Sequence, residues 1–244
     1  MQITFVLPTY NEAENLPRLV SALLSLPLPN LKALIVDDNS PDGTGQIADR
    51  LAQENPGRIS VLHRPGKQGL GRAYLEGFQV ALDAGAEVIG QMDSDFSHPI
   101  EKIPEMAAAI QTCDVVLGSR YTSGGGVDEN WPLWRKGLSA FANFYARNIL
   151  GLPVRDVTGG FRLYRRETLQ GMPLHRIRSN GYVFLVELTY LSHLCGFNIR
   201  EIPIYFADRK WGQSKMSLRN QLEAALRVWQ VRLAYRDLAA YKRS

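Results

Sequence analysis

Short apolar runs alternate with amphipathic stretches through the first half of the chain. Residues 3–7 form an apolar strand, and Leu16, Leu19, Val20, Leu23 and Leu24 then recur at the 3.6-residue helical period. Residues 34–36 and 59–62 predict the second and third strands. A strong amphipathic helix follows, with Leu70, Ala73, Tyr74, Gly77, Phe78, Ala81 and Leu82 on its apolar face. Residues 88–92 lead as a strand into Asp93. Pro99 opens a helix, since proline suits a first turn, and residues 114–118 form another strand. Repeated β-α alternation predicts a mostly parallel sheet covered on both faces.

Beyond Gly118 the pattern changes. A Gly-rich loop (122–128) precedes a helix over 133–150. Then come a Gly159-Gly160 turn, a strand over 161–164, a helix over 183–194 and a late strand over 198–204. A loop at 210–214 leads into a long terminal helix over 217–240. No Pro/Gly/Ser-rich linker separates the halves. The expected organisation is one α/β domain over 1–215, with 216–244 a C-terminal amphipathic basic helix extending the same domain.

The 244 residues suffice for such a domain. Cys113 and Cys195 sit in apolar surroundings without metal-ligand or C-x-x-C spacing, and are expected to be reduced and structural in a cytoplasmic protein. The first residues form a strand with no basic leader or long apolar core, so no signal peptide is expected. No stretch reaches the ~20 apolar residues of a membrane span. Net charge is +4 but uneven: nine basic and two acidic residues between Arg209 and Arg243 give +7, against −3 elsewhere. That basic end predicts an anionic partner, with a solvated helix face as the competing explanation.

Candidate chemistry gathers at the ends of the predicted strands. Asp93 and Asp95 form an Asp-x-Asp at the end of a buried strand, a pair of hard oxygen ligands suited to Mg²⁺ or Mn²⁺. A second acidic cluster, Asp37-Asp38-Asn39-Ser40-Pro41-Asp42-Gly43-Thr44, closes an earlier strand. Of its members, Asp42-Gly43 is expected to be a turn leading into a helix over 47–53. Open α/β sheets bind ligands beyond their strand carboxyl ends, so the two clusters together predict a nucleotide–metal crevice. In Pro8-Thr9-Tyr10-Asn11-Glu12, Tyr10 is placed to pack on a base and Glu12 to accept from a base or sugar; Asp38 lies beside this loop. The loop before Leu70 offers Lys67 and backbone N–H groups to a diphosphate, yet it matches neither a Walker A nor a G-x-G-x-x-G pattern. Arg120 ends the strand at 114–118, where it is expected to fork onto a phosphate. Arg135 and Ser139, four residues apart, share a helix face and with Arg120 form a second phosphate site. Arg209 and Lys215 flank a basic loop expected to close over a diphosphate. Aromatics fall mostly at core positions and acidic sites oppose polyanions, so no nucleic-acid partner is expected.

These motifs together resemble the dolichol-phosphate (polyprenol-phosphate) mannosyltransferase family, inverting family 2 glycosyltransferases of GT-A fold. The resemblance runs from about residue 2 to residue 215. It rests on PTYNE (8–12), DDNSPDGT (37–44), GLGRAY (69–74), MDSDFSHP (92–99), GSRY (118–121), RDVTGGFR (155–162) and DRKWGQSK (208–215). It implies a Rossmann-like, mostly parallel sheet flanked by helices. It implies that Pro8, Tyr10, Glu12, Val36 and Asp38 hold the nucleoside. Asp93, Ser94 and Asp95 would bind the sugar–diphosphate, with Asp93 and Asp95 at a Mg²⁺ or Mn²⁺ ion. Arg120, Arg209 and Lys215 would grip donor or acceptor phosphates, and Arg135 and Ser139 the lipid phosphate. Some relatives use a Gln two residues after the second Asp as a further ligand; here that position is Ser97. The implied reaction moves mannose from GDP-mannose to a polyprenyl or dolichyl phosphate with inversion. UDP-glucose-dependent glucosyl transfer and a catalytically silent sugar-nucleotide-binding module are the alternatives. The family usually needs a membrane device, so attachment at the cytoplasmic face is expected, peripherally or through a separate membrane subunit. Leu222, Leu226, Trp229 and Leu233, with Arg219, Arg227, Arg232 and Arg236 nearby, would serve that purpose, unless the stripe packs on the core.

Overall fold

A computed structural model describes residues 1–207 and 218–241. The first half runs β1 (Ile3–Thr9), α1 (Leu16–Leu24), β2 (Leu31–Asp37), α2 (Thr44–Glu54), β3 (Ile59–His63), α3 (Leu70–Asp83), β4 (Val88–Gln91), α4 (Ile103–Ala109) and β5 (Val115–Ser119). The second half runs β6 (Gly126–Val127), α5 (Leu133–Leu150), β7 (Arg162–Arg165), α6 (Arg166–Gly171), α7 (Gly181–Leu194), β8 (Ile199–Pro203), β9 (Tyr205–Phe206), α8 (Leu218–Ala234) and α9 (Arg236–Tyr241). Seven strands form one sheet in the order β3-β2-β1-β4-β7-β5-β8, and β6 pairs with β9 in a small separate ladder.

The sheet is parallel except for β7, which lies antiparallel between β4 and β5. Its first residue, Arg162, pairs with both Gln91 at the end of β4 and Leu117 near the end of β5. An antiparallel strand begins where its parallel neighbours finish. The loop that feeds β7 is thereby brought to the functional end of the sheet.

Strand alternation sorts the core into two layers. Val6, Leu34, Val36, Ile89, Val115 and Leu117 face the helices α3, α5, α7 and α8. Ile3, Phe5, Leu7, Leu31, Ala33 and Val116 face α1 and α4. This is the two-residue period of a sheet buried on both sides. Helix α3 crosses β1 at Gly77, where a Cβ would lie 2.4 Å from Val6 Cγ1. Helix α7 is apolar on almost every side, as expected of a helix enclosed by its neighbours. Both cysteines are free, and burial pushes the Cys113 thiol pKa up.

The C-terminal segment departs from the expected single helix. It breaks at Tyr235, whose hydroxyl is drawn into the core and donates to Glu187 Oε1 at 2.7 Å. Val228, Val231 and Tyr235 are the buried face of this segment. Leu226, Trp229 and Leu233 lie on nearly the opposite side and are exposed. The predicted loop at 210–214, with Arg209 and Lys215, lies outside the described residues, as do the side chains of Arg219 and Leu222.

Candidate active site at the strand ends

Three loops leave the carboxyl ends of β1, β2 and β4, and each contains one residue held in the left-handed region: Asn11 (φ 62°), Asn39 (φ 57°) and Phe96 (φ 61°). Asn tolerates this backbone; Phe does so only when its surroundings impose it. Among the described residues these are the only non-glycine positions with positive φ.

The acidic cluster after β2 divides by role. Asp37 ties the loop together, accepting from Ser40 Oγ at 2.5 Å, from Ser40 N at 3.1 Å and from Thr9 Oγ1 at 3.2 Å. Asp42 caps α2 through Thr44 and accepts from Ala13 N at 3.1 Å, which explains why that helix starts at Thr44 rather than Ile47. Thr44 Oγ1 in turn accepts from Glu12 N at 2.9 Å. Asp38 is the member left to the site. It is buried and ion-paired with Arg64, which also grips Glu76 at 2.8 Å. Burial raises the Asp38 pKa, only partly countered by Arg64. Tyr10 is exposed, with Lys67 Nζ 4.1 Å from its ring centroid. Lys67 and Tyr10 thus lie side by side at the ends of β3 and β1. Val36 is fully buried, because strand alternation turns its side chain inward under α3.

The Asp-x-Asp lies where expected, just past β4. Asp93 accepts from the buried Tyr74 hydroxyl at 3.1 Å, a contact that, after burial itself, holds the phenol pKa well above its ordinary value. Asp95 is buried, and its Oδ1 accepts from Ser97 Oγ at 2.5 Å and Ser97 N at 3.1 Å. Ser97 thus braces the second aspartate. Ser94 points back to β1 and donates to Pro8 O at 2.9 Å, so its hydroxyl locks two loops together.

Arg120 is engaged within the protein. Its fork closes on Asp156, with Nε–Oδ2 and Nη2–Oδ1 both at 2.8 Å, and Nη2 donates to Thr158 Oγ1 at 2.7 Å. The antiparallel β7 is the reason, because its feeding loop carries Asp156 to the end of β5. Burial alone would raise the Asp156 pKa; the Arg120 charge and its hydrogen bonds outweigh that and lower it. Fully buried Arg162 ties the same loop down through the carbonyls of Gly159, Val157 and Leu185. Beside Arg120, Tyr121 donates to Ser139 Oγ at 2.7 Å. Arg135 stacks on Trp131, 3.7 Å from its ring centroid. Arg135 and Ser139 therefore share the inner side of α5, as their spacing predicted. Asp156, Thr158, Tyr74, Arg64 and His98, which sequence reasoning missed, lie directly against the candidate residues. RDVTGGFR and MDSDFSHP were the available signals.

No group of three or more His, Cys, Asp or Glu side chains surrounds a common point among the described residues. Asp93 and Asp95 still suit a hard divalent cation that takes one or two carboxylates and fills its remaining positions with substrate phosphates and water.

An open, mostly parallel sheet with carboxylate-bearing loops at its strand ends is the arrangement of a GT-A-type fold. The family model for glycosyl transferase family 2 matches residues 4–172. Polyprenol monophosphomannose synthase of Mycolicibacterium smegmatis is 45% identical over 230 residues, covering 93% of this chain and 86% of the relative. Undecaprenyl-phosphate mannosyltransferase of Micrococcus luteus is 44% identical over 217 residues, covering 89% and 88%. Among solved structures, glucosyl-3-phosphoglycerate synthase of Mycobacterium tuberculosis, in complex with Mn²⁺, UDP and phosphoglyceric acid, superposes with a TM-score of 0.65 at 16% identity, covering 96% of this chain and 78% of that one. The chain belongs to glycosyl transferase family 2, in its polyprenol-phosphate mannosyltransferase branch.

Proposed function

We propose that this enzyme transfers mannose from GDP-mannose to a polyprenyl phosphate with inversion, giving polyprenyl phosphate β-mannose and GDP. The observation that supports the reading is the strand order, which sets the Asp93-x-Asp95 end of β4 between the ends of β1 and β2 and the end of β5 with helix α5. On one side lie Tyr10, Glu12 and Asp38, which suit a nucleoside. On the other lie Arg120, Arg135 and Ser139, which suit a phosphate acceptor. The choice of mannose and of a polyprenyl phosphate follows the two bacterial relatives.

The acceptor phosphate is already anionic near neutral pH, so the site needs to orient it more than to deprotonate it. Arg135 and Ser139 orient it from α5. Arg120, held rigid by Asp156, fixes the floor between acceptor and sugar. Asp93 and Asp95 would hold Mg²⁺ or Mn²⁺, which when bound neutralises charge developing on the leaving diphosphate. The two aspartates are cation holders in this account, not a glycosidase acid–base pair. One in-line displacement inverts the anomeric carbon.

A lipid acceptor also calls for a membrane surface. No described helix is long and apolar enough to cross a membrane. Helix α5 exposes Leu133, Trp134, Phe141 and Phe144 on the side away from Ser139, and α8 exposes Leu226, Trp229 and Leu233. With Lys136, Arg227 and Arg232 nearby, these helices suit peripheral docking on an anionic leaflet, the cytoplasmic one in this proposal. The acceptor phosphate would then meet the inner side of α5 while lipid meets the outer side.

The test is a donor screen with a short polyprenyl phosphate and Mg²⁺ or Mn²⁺. Radiolabel should move from GDP-mannose, with a β-anomer found by NMR, and EDTA should abolish turnover. Preference for UDP-glucose would overturn the donor assignment, and absence of turnover with every donor would overturn the enzymatic one. Full activity after exhaustive chelation would remove the cation.

A further inference from the structure

His98 is almost completely buried, its side chain 2% exposed, yet neither ring nitrogen has a hydrogen-bond partner. Buried polar groups without partners are rare in folded proteins and cost stability unless something else satisfies them. The ring is not loose. It stacks on Phe161, with centroids 5.2 Å apart at 17°, and meets the edge of Phe206 at 5.3 Å. This packing aims Nε2 at Asp93, 3.7 Å from Oδ2. On the other side of the carboxylate, Tyr74 already holds Oδ1. Gly160 covers the gap: a Cβ there would lie 3.4 Å from His98 Nε2 and 3.6 Å from each Asp93 oxygen.

We propose that His98 is the positioning residue of Asp93. With the donor diphosphate and its cation in place, the His98 Nε2–H donates to Asp93 Oδ2. Tyr74 and His98 then hold the carboxylate from both oxygens, and it presents a fixed orientation to the cation. The 3.7 Å separation needs to close by only roughly 0.7 Å to become an ordinary hydrogen bond. The device also answers Ser97, whose hydroxyl and N–H are both given to Asp95, so that rigidity of the two carboxylates takes the place of a third ligand. Partners that orient a metal ligand in this way typically change metal affinity ~10- to 100-fold when removed.

The inference rests on the cation reading of Asp93 and Asp95, and the experiment separates the two. Mn²⁺ binding to the full-length protein with saturating GDP is followed by the electron paramagnetic resonance signal of free Mn²⁺. His98→Phe keeps the stack on Phe161 and removes the donor; His98→Gln puts an amide N–H close to the position of Nε2. His98→Phe should weaken Mn²⁺ by about 10-fold or more, leave metal-free GDP affinity unchanged, and be largely rescued by His98→Gln. Wild-type affinity in His98→Phe, or a His98→Gln as weak as His98→Phe, would overturn the positioning role while leaving the cation site standing. Failure of the wild-type protein to bind Mn²⁺ with GDP would remove both. A measurement that needs no variant is nitrogen-15 NMR of the histidines. Nε2 of His98 should carry the proton and shift on addition of Mg²⁺ and GDP; an unprotonated Nε2 in that complex overturns the proposal.

Discussion

At the scale of single residues, the site is a set of carboxylates whose uses differ although their side chains are alike. Asp37 and Asp42 fasten loops, Asp38 is paired with Arg64, Asp156 holds Arg120, and Asp93 and Asp95, braced by Tyr74 and Ser97, are the pair proposed to hold the cation. Gly160 is the residue whose lack of a side chain matters most here. Its would-be Cβ makes ordinary contacts, so Gly160→Ala should fold normally while placing a methyl beside both Asp93 oxygens. We expect melting within a few degrees of wild type and at least a 10-fold loss of transfer, an order-of-magnitude expectation for a shifted cation site. Unchanged kcat and KM would show that the space above Asp93 is not used. Asp156 gives a pH prediction. Its folded-state pKa is depressed, so its pairing stabilises the protein above the unfolded value near 4 and that stability is lost as pH falls through the folded value. Asp156→Asn leaves Arg120 buried without its charge partner, which typically costs about 3–5 kcal/mol. The gap between the thermal melts of the two proteins should be large from pH 7 to about 4 and narrow between about pH 4 and the lower folded value. A constant gap across that range would contradict the depressed pKa.

At the scale of elements, α5 matters most because its two sides have different tasks. Arg135 and Ser139, the proposed acceptor residues, pack on Trp131 and Tyr121, and Leu133, Trp134, Phe141 and Phe144 are exposed. Arg135→Ala should therefore raise the KM for polyprenyl phosphate at least ~10-fold, the loss expected for one charge-assisted contact, and leave GDP affinity by calorimetry as it was. A mutant that lost GDP affinity with acceptor KM unchanged would place Arg135 on the donor side. The helical period of 133–150 was fully legible, and the helix spans those residues. Helix α2 begins at Thr44, directly after the Asp42-Gly43 turn the sequence predicted and three residues before Ile47, where its apolar period starts. The terminal helix was read as continuous. Its break at Tyr235 depends on Glu187, 48 residues away in sequence, which no local pattern contains.

At the scale of the whole molecule, the two exposed apolar faces and the basic end of the chain predict peripheral attachment. The purified protein should co-sediment with anionic vesicles at low salt, less so at high salt, and weakly with neutral ones, because screening shortens the reach of surface charge. Replacing Trp134, Phe141 and Phe144 together by Ser should lower vesicle binding more than replacing Trp229 alone. Equal sedimentation with neutral and anionic vesicles, or none with either, would remove electrostatic docking and point to a membrane subunit.

The sequence by itself determined the mostly parallel α/β class, most of the elements, the position of Asp93 and Asp95 at a strand end, and the shared face of Arg135 and Ser139. These follow from local period and spacing, which the chain carries within a few residues. Only the tertiary structure decided strand order, and strand order decided the rest. Placing β7 antiparallel between β4 and β5 brought Asp156 to Arg120 and Gly160 to Asp93, across 36 and 67 positions of sequence. It closed the Arg120 fork on the Asp156 carboxylate. The turn of β2 buried Val36, and the stacking of Phe161 on His98 aimed its imidazole at Asp93. Such contacts are fixed by how distant segments pack, so no window of the sequence contains them.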